Sequence, residues 1–130
     1  MLLLEPDAGI RELVTKVLQR AGYTVAGTSG GGEALRERQT RRFDALVVDV
    51  SIYGSVLEDG ARRGLGFLHF LQRTQPAVLD RVIVTSALPE AELRGQLPPV
   101  CRVIRKPFDI DELTNAVSEC AKVRLARITK

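Results

Sequence analysis

Four polar positions or clusters in this chain each follow a short apolar run. Glu5-Pro6-Asp7 follows Leu2 to Leu4, Asp49 follows Ala45 to Val48, Thr85-Ser86 follows Val82 to Val84, and Lys106-Pro107 lies just past Val100 to Ile104. Carboxylates are hard oxygen donors suited to a small divalent cation, an ammonium pairs with anionic oxygens, and a hydroxyl both donates and accepts. Hydrolytic chemistry of the triad type has no support. The chain carries no Gly-x-Ser-x-Gly elbow, and its one histidine, His69, sits between Leu68 and Phe70 on a helical pattern with no nucleophile motif nearby.

The elements that must position these residues follow from apolar periodicity. The runs Leu2 to Leu4, Tyr23 to Ala26, Ala45 to Val48, Val82 to Val84 and Val100 to Ile104 suit buried parallel strands. Between them lie segments with helical spacing: Ile10, Leu13, Val14, Val17 and Leu18, then a shorter one around Ala34 and Leu35, then Leu65, Leu68 and Leu71. Pro89 with Glu90 and Glu92 suits the first turn of another helix. Asp109 with Glu112 forms a capping box for a last helix burying Ile110, Leu113, Val117 and Ala121. Gly22 fits the left-handed position that ends a helix. Alternating strands and helices with short loops predict an α/β fold, a doubly wound parallel sheet with right-handed crossovers. Ligands of such sheets sit beyond the carboxyl ends of the strands, where the four polar positions gather.

Through Glu5-Pro6-Asp7-Ala8-Gly9-Ile10-Arg11, Phe43 to Asp49, Val82 to Ala87 and Arg105-Lys106-Pro107-Phe108, the chain resembles the receiver domains of bacterial two-component response regulators. The likeness runs through nearly all of residues 1–130 as a single domain. It implies a three-layer, flavodoxin-like (βα)5 fold with five parallel strands in the order 2-1-3-4-5. It also implies that Asp49 accepts a phosphoryl group from a histidine kinase or phosphotransfer protein, as a signalling domain rather than an enzyme. Mg2+ would be held by Glu5, Asp49 and the backbone carbonyl of Ser51. Lys106 would contact the phosphoryl group, aimed by a cis bond to Pro107. Of the two neighbouring hydroxyls, Ser86 matches the family position because it directly precedes Ala87, and Thr85 is expected to point into the sheet packing. A downstream effector protein is the implied partner, with room for a homodimer.

Three departures from the family pattern stand out. Pro6 occupies the place of a second acid and cannot ligate a cation, which leaves Asp7 either as a substitute ligand or as the N-cap of the first helix. The stretch from Asp49 to Gly64 is longer than the family's loop and carries Glu58, Asp59 and the pair Arg62-Arg63. Val103 stands where an aromatic residue often swings on activation. These departures motivate a second reading, a pseudo-receiver that binds partners without phosphorylation.

Bulk composition sets the remaining bounds. The chain has 130 residues, 45% hydrophobic and 27% charged, with a net charge of +3. That is the balance of one soluble globule. Lys122, Arg124, Arg127 and Lys130 have no interleaved aromatics, so direct nucleic-acid binding is not expected. The opening Met1-Leu2-Leu3-Leu4 meets Glu5 at once, too short an apolar run for a leader or a membrane span, and a cytoplasmic protein is expected. Gly30-Gly31-Gly32 lacks the Lys-Ser or Lys-Thr of a phosphate loop. Cys101 and Cys120 fit no paired motif and are expected to be small core residues without a disulfide.

Overall fold

The computed structural model describes residues 1–29, 43–50, 64–93 and 95–128. The expectations placed on Ala34 and Leu35, on Gly30-Gly31-Gly32, and on residues 51–63 lie outside the described residues. Strands β1 (Leu2–Leu4), β2 (Ala26–Thr28), β3 (Leu46–Asp49), β4 (Val82–Ser86) and β5 (Arg102–Arg105) form one sheet. Its order is β2-β1-β3-β4-β5 and every neighbouring pair is parallel, the topology expected of a flavodoxin-like receiver. Helices α1 (Ala8–Arg20), α2 (Leu65–Thr74), α3 (Glu90–Leu93) and α4 (Ile110–Ile128) connect or follow the strands, and a 3-10 segment, Pro76–Arg81, leads into β4.

Strand residues alternate between the two faces, so β1, β3 and β4 each feed two cores. Leu2, Leu4, Leu46, Val48, Val82 and Val84 pack with Phe67, Leu68 and Leu71 of α2 and with Val78 and Leu79. Leu3, Val47, Ile83 and Ile104 pack with Val14 and Leu18 of α1 and with Leu113, Val117 and Cys120 of α4. Fully burying one such side chain stabilises the fold by about 1.5–3 kcal/mol before conformational entropy is set against it. His69 is half-buried on α2, as its neighbours suggest.

The end of α1 shows how local sequence stops a helix and aims the chain at the next strand. Gly22 takes φ +99°, its N–H donates to the Gln19 carbonyl, and the Tyr23 N–H donates to the Leu18 carbonyl. These paired bonds satisfy carbonyls that the helix leaves open, and only glycine adopts that φ without steric cost.

Several expectations need correction. Leu13 and Ile110 are 58% and 54% exposed, so the apolar stripes of α1 and α4 are narrower than their sequence periodicity suggests. Strand β2 begins at Ala26, because the helix-ending turn engages Tyr23, and Tyr23 and Val25 pack half-buried against the core on their approach to the sheet. Strand β5 begins at Arg102, two residues later than predicted. The cysteines are joined. Cys101, just before β5, and Cys120 of α4 form a disulfide with Cα atoms 6.1 Å apart and a sequence separation of 19. Their spacing matches no local motif, and packing α4 on the β5 side of the sheet is what brings them together. Closing a loop of that size stabilises the fold by about 3 kcal/mol, chiefly by restricting the unfolded chain.

Candidate functional site

The polar residues that end four strands meet at the carboxyl edge of the sheet. Glu5 follows β1 and is anchored there by its own N–H, which donates to the Thr28 carbonyl at 2.9 Å. Asp49 ends β3, and the adjacent Val50 N–H donates to the Thr85 carbonyl at 2.9 Å, continuing the sheet ladder beyond the carboxylate. Lys106 follows β5; its N–H donates to the Ser86 carbonyl at 2.8 Å and its bond to Pro107 is cis, as the family resemblance implied. The backbone thus fixes the stem of every charged group before any side-chain contact is made.

Lys106 bridges both acids. Its Nζ lies 2.5 Å from Glu5 Oε1 and 2.9 Å from Asp49 Oδ1. The Glu5 and Asp49 side chains are 4% and 3% exposed, and that of Lys106 is 14% exposed, so the contacts are buried and weakly screened. Two carboxylates sharing one ammonium leave a local excess of negative charge. Burial pushes the Glu5 carboxyl above its ordinary value; the hydrogen bond from Lys106 opposes that shift and the nearby Asp49 charge adds to it. For Lys106, burial favours loss of the proton, but the bonds to Glu5 and Asp49 outweigh it and the ammonium is held above its ordinary value.

The two hydroxyls divide differently from expectation. Thr85 pairs directly with Asp49 in the parallel register, and its Oγ1 donates to Asp49 Oδ1 at 3.3 Å. It does not point into sheet packing away from the site: Thr85 has the same strand parity as Ile83, and Asp49 the same as Val47, so both project on one face where the core gives way to the pocket. The parity was legible in the sequence, but the register that sets Thr85 opposite Asp49 was not. Ser86 is fully buried at the end of β4, and its Oγ accepts from the Leu88 N–H at 2.9 Å.

Asp7 is exposed and caps α1, its Oδ1 accepting from the Ile10 N–H at 2.9 Å, while its own N–H donates to Glu5 Oε2 at 3.2 Å. The N-cap role therefore holds, and Asp7 supports Glu5 through its backbone. Ser51, Glu58 and Asp59 lie outside the described residues. Val103 is 46% exposed on β5, turned away from buried Ile104.

Two supporting contacts carried no signal in the sequence. Arg11 of α1 donates from Nη1 to the Glu5 carbonyl at 2.7 Å, clamping the β1–α1 turn. Gly64, which precedes α2, packs so closely on β3 that a Cβ there would lie 1.9 Å from the Asp49 carbonyl oxygen. Any side chain at Gly64 would displace the backbone that carries Asp49. Because these residues lie 6 and 15 positions from their partners, only the folded backbone reveals either contact.

The arrangement can hold a hard cation or receive an anionic group. Glu5 and Asp49 present convergent carboxylate oxygens, a donor set that fits Mg2+ with several waters retained, although the pair is one acid poorer than in the family pattern because of Pro6. Among the described residues no group of three or more acidic, histidine or cysteine side chains is placed to hold a metal. None of the described helices is long and apolar enough to cross a membrane.

Comparison with known proteins agrees with this geometry. Sporulation initiation phosphotransferase F of Bacillus subtilis is 29% identical over 124 residues, covering 92% of this chain and 90% of that protein. The sensor histidine kinase AruS of Pseudomonas aeruginosa is 30% identical over 129 residues, covering 92% of this chain but 12% of that larger protein. Among solved structures, the response regulator TrrA of Thermotoga maritima in complex with Mg2+ and BeF superposes with a TM-score of 0.71 at 22% identity, over 92% of this chain and 96% of that one. A CheY-like receiver from Methanospirillum hungatei gives 0.75 at 18% identity, over 97% and 95%. At these identities the two structures establish the fold alone. The family model of the response regulator receiver domain matches residues 1–118, which takes in every strand and each of the strand-end residues above. The chain belongs to the response regulator receiver domain family.

Proposed function

We propose that this receiver accepts a phosphoryl group on Asp49 from the phosphohistidine of a histidine kinase or phosphotransfer protein, and signals by binding a downstream effector. The observation that carries the reading is the half-buried Lys106 ammonium held on Asp49 Oδ1 at the carboxyl edge of the sheet. In the transfer, an Asp49 carboxylate oxygen forms a bond to phosphorus while the phosphorus–nitrogen bond to the kinase histidine breaks. The transition state is loose, so position and charge dominate. Lys106 balances the phosphoryl charge, and the Ser86 hydroxyl, once released from the Leu88 N–H, donates to a phosphoryl oxygen. A Mg2+ ion held by Glu5 and Asp49, with the Ser51 carbonyl as a further ligand, would supply neutralisation of the phosphoryl oxygens.

A second reading is favoured by one specific feature. Lys106 already neutralises Glu5 and Asp49 together, Pro6 offers no ligand, and Asp7 is engaged in capping α1. Such a site serves a pseudo-receiver that binds its partner without phosphorylation.

Intact mass after incubation with acetyl phosphate and Mg2+ separates the readings. One labile phosphoryl adduct, absent from Asp49→Asn and from a metal-free control, is expected. No adduct in the wild-type chain, even with a cognate kinase supplied, would leave the pseudo-receiver.

A further inference from the structure

We propose that Thr85 is a second hydroxyl acting on the reacting carboxylate, and that it shortens the lifetime of the phosphorylated state. The inference rests on Asp49 being the phosphoacceptor and concerns a residue distinct from Ser86, whose family position the sequence already marks. Thr85 is buried, lies opposite Asp49 in the β3–β4 register, and donates from Oγ1 to Oδ1 at 3.3 Å. The same oxygen receives the Lys106 ammonium at 2.9 Å. Two donors of different kinds thus converge on one oxygen of Asp49. Ser86, one residue further on, turns its hydroxyl to the Leu88 N–H.

The chemical consequence follows from where charge develops. In hydrolysis of the acyl phosphate, the oxygen–phosphorus bond to Asp49 breaks and its electron pair returns to the carboxylate. A water oxygen bonds to phosphorus, and its protons leave with inorganic phosphate and solvent. A loose transition state has that bond largely broken, so the departing carboxylate carries nearly its full charge. A hydroxyl donating to Oδ1 binds a carboxylate more strongly than the neutral carbonyl of the acyl phosphate, so it stabilises the transition state for loss more than the phosphorylated ground state. In phosphoryl uptake the new bond to Asp49 is scarcely formed at the transition state. The carboxylate then keeps most of its charge and its hydrogen bond, and the same donor changes that rate little. The 3.3 Å separation exceeds the usual 2.7–2.8 Å for a hydroxyl donor, so the effect is moderate.

The test compares wild type, Thr85→Val and Thr85→Ser, each phosphorylated with acetyl phosphate and Mg2+, freed of donor, and followed by intact mass over time. Thr85→Val, which keeps the side-chain shape, is expected to prolong the adduct lifetime by about threefold to tenfold. Thr85→Ser, which keeps the hydroxyl, is expected to decay within about twofold of wild type. A Thr85→Val adduct that decays as fast as wild type or faster overturns the inference and leaves Asp49 as acceptor. So does a Thr85→Ser adduct as long-lived as that of Thr85→Val, which would assign the effect to side-chain packing at this position rather than to the hydroxyl. A wild-type chain that takes up no phosphoryl group overturns the phosphoacceptor reading, and this inference falls with it.

Discussion

The sheet ends differently on its two sides although the same strands supply both. At the amino edge, buried Arg81 stands just before β4 and donates to the Phe43 carbonyl just before β3, and the Met1 ammonium donates to the Thr24 carbonyl. At the carboxyl edge, one ammonium serves two buried carboxylates. The amino edge matches a cation with backbone carbonyls and closes the sheet. The carboxyl edge concentrates charge of one sign that its own residues balance only in part, an arrangement suited to binding rather than to closure. Closure and the concentration of charge are therefore separated along the strands by a rise of a few residues.

Breaking the carboxyl edge should cost most. Lys106→Met leaves Glu5 and Asp49 buried without their shared cation, and an expected loss of about 3–5 kcal/mol at pH 7 is measurable by urea unfolding. In the wild type the Lys106 contribution is fully present below its ordinary value of 10.5, since the folded state holds that proton more tightly. It drains away as pH rises through the higher folded value, so the stability difference between wild type and Lys106→Met should narrow in strong alkali.

The matching change at the amino edge should cost less. Arg81→Met removes the donor to the Phe43 carbonyl, and a loss of about 1–3 kcal/mol is expected by the same measurement. Equal losses at the two edges would erase the contrast between closure and binding.

Asp7→Ala sharpens the boundary of the pocket. As an N-cap its removal costs about 1 kcal/mol of stability. Its effect on the Mg2+ dependence of phosphoryl uptake should be nil; a large rise in the Mg2+ required would restore Asp7 as a ligand.

The smallest effect carries the opposite sign. Burial raises the Glu5 carboxyl, so ionising it opposes folding, and Glu5→Gln should stabilise the chain at pH 7. That gain should shrink as pH falls through the raised folded value and vanish below the ordinary 4.5, where Glu5 becomes protonated in both folded and unfolded chains. Thermal melts at neutral and acidic pH would show it, and a destabilised variant at pH 7 would mean that the hydrogen bonds to Glu5 outweigh its burial.

Much of this molecule was legible in residue order because strands and helices answer to local periodicity. Leu2 to Leu4 is β1, Val82 to Val84 lies within β4, and Val14 and Leu18 of the α1 stripe are buried as their spacing requires. Glu5, Asp49 and Lys106 declared themselves by following apolar runs, since the carboxyl ends of parallel strands lie on one edge. Strand β2 was misplaced because Tyr23 and Val25 look like strand residues, yet they pack against the core on the way from the helix-ending turn to the sheet.

What the amino-acid order determined by itself was the alternation of strand and helix, the family, and the strand ends at which the polar residues gather. Tertiary structure alone decided which atoms meet there. Glu5 and Lys106 are 101 residues apart, Asp49 and Thr85 are 36 apart, and Cys101 and Cys120 are 19 apart. Periodicity acts over a few residues, whereas these contacts depend on strand register and helix docking, which are set by burial of the whole core at once.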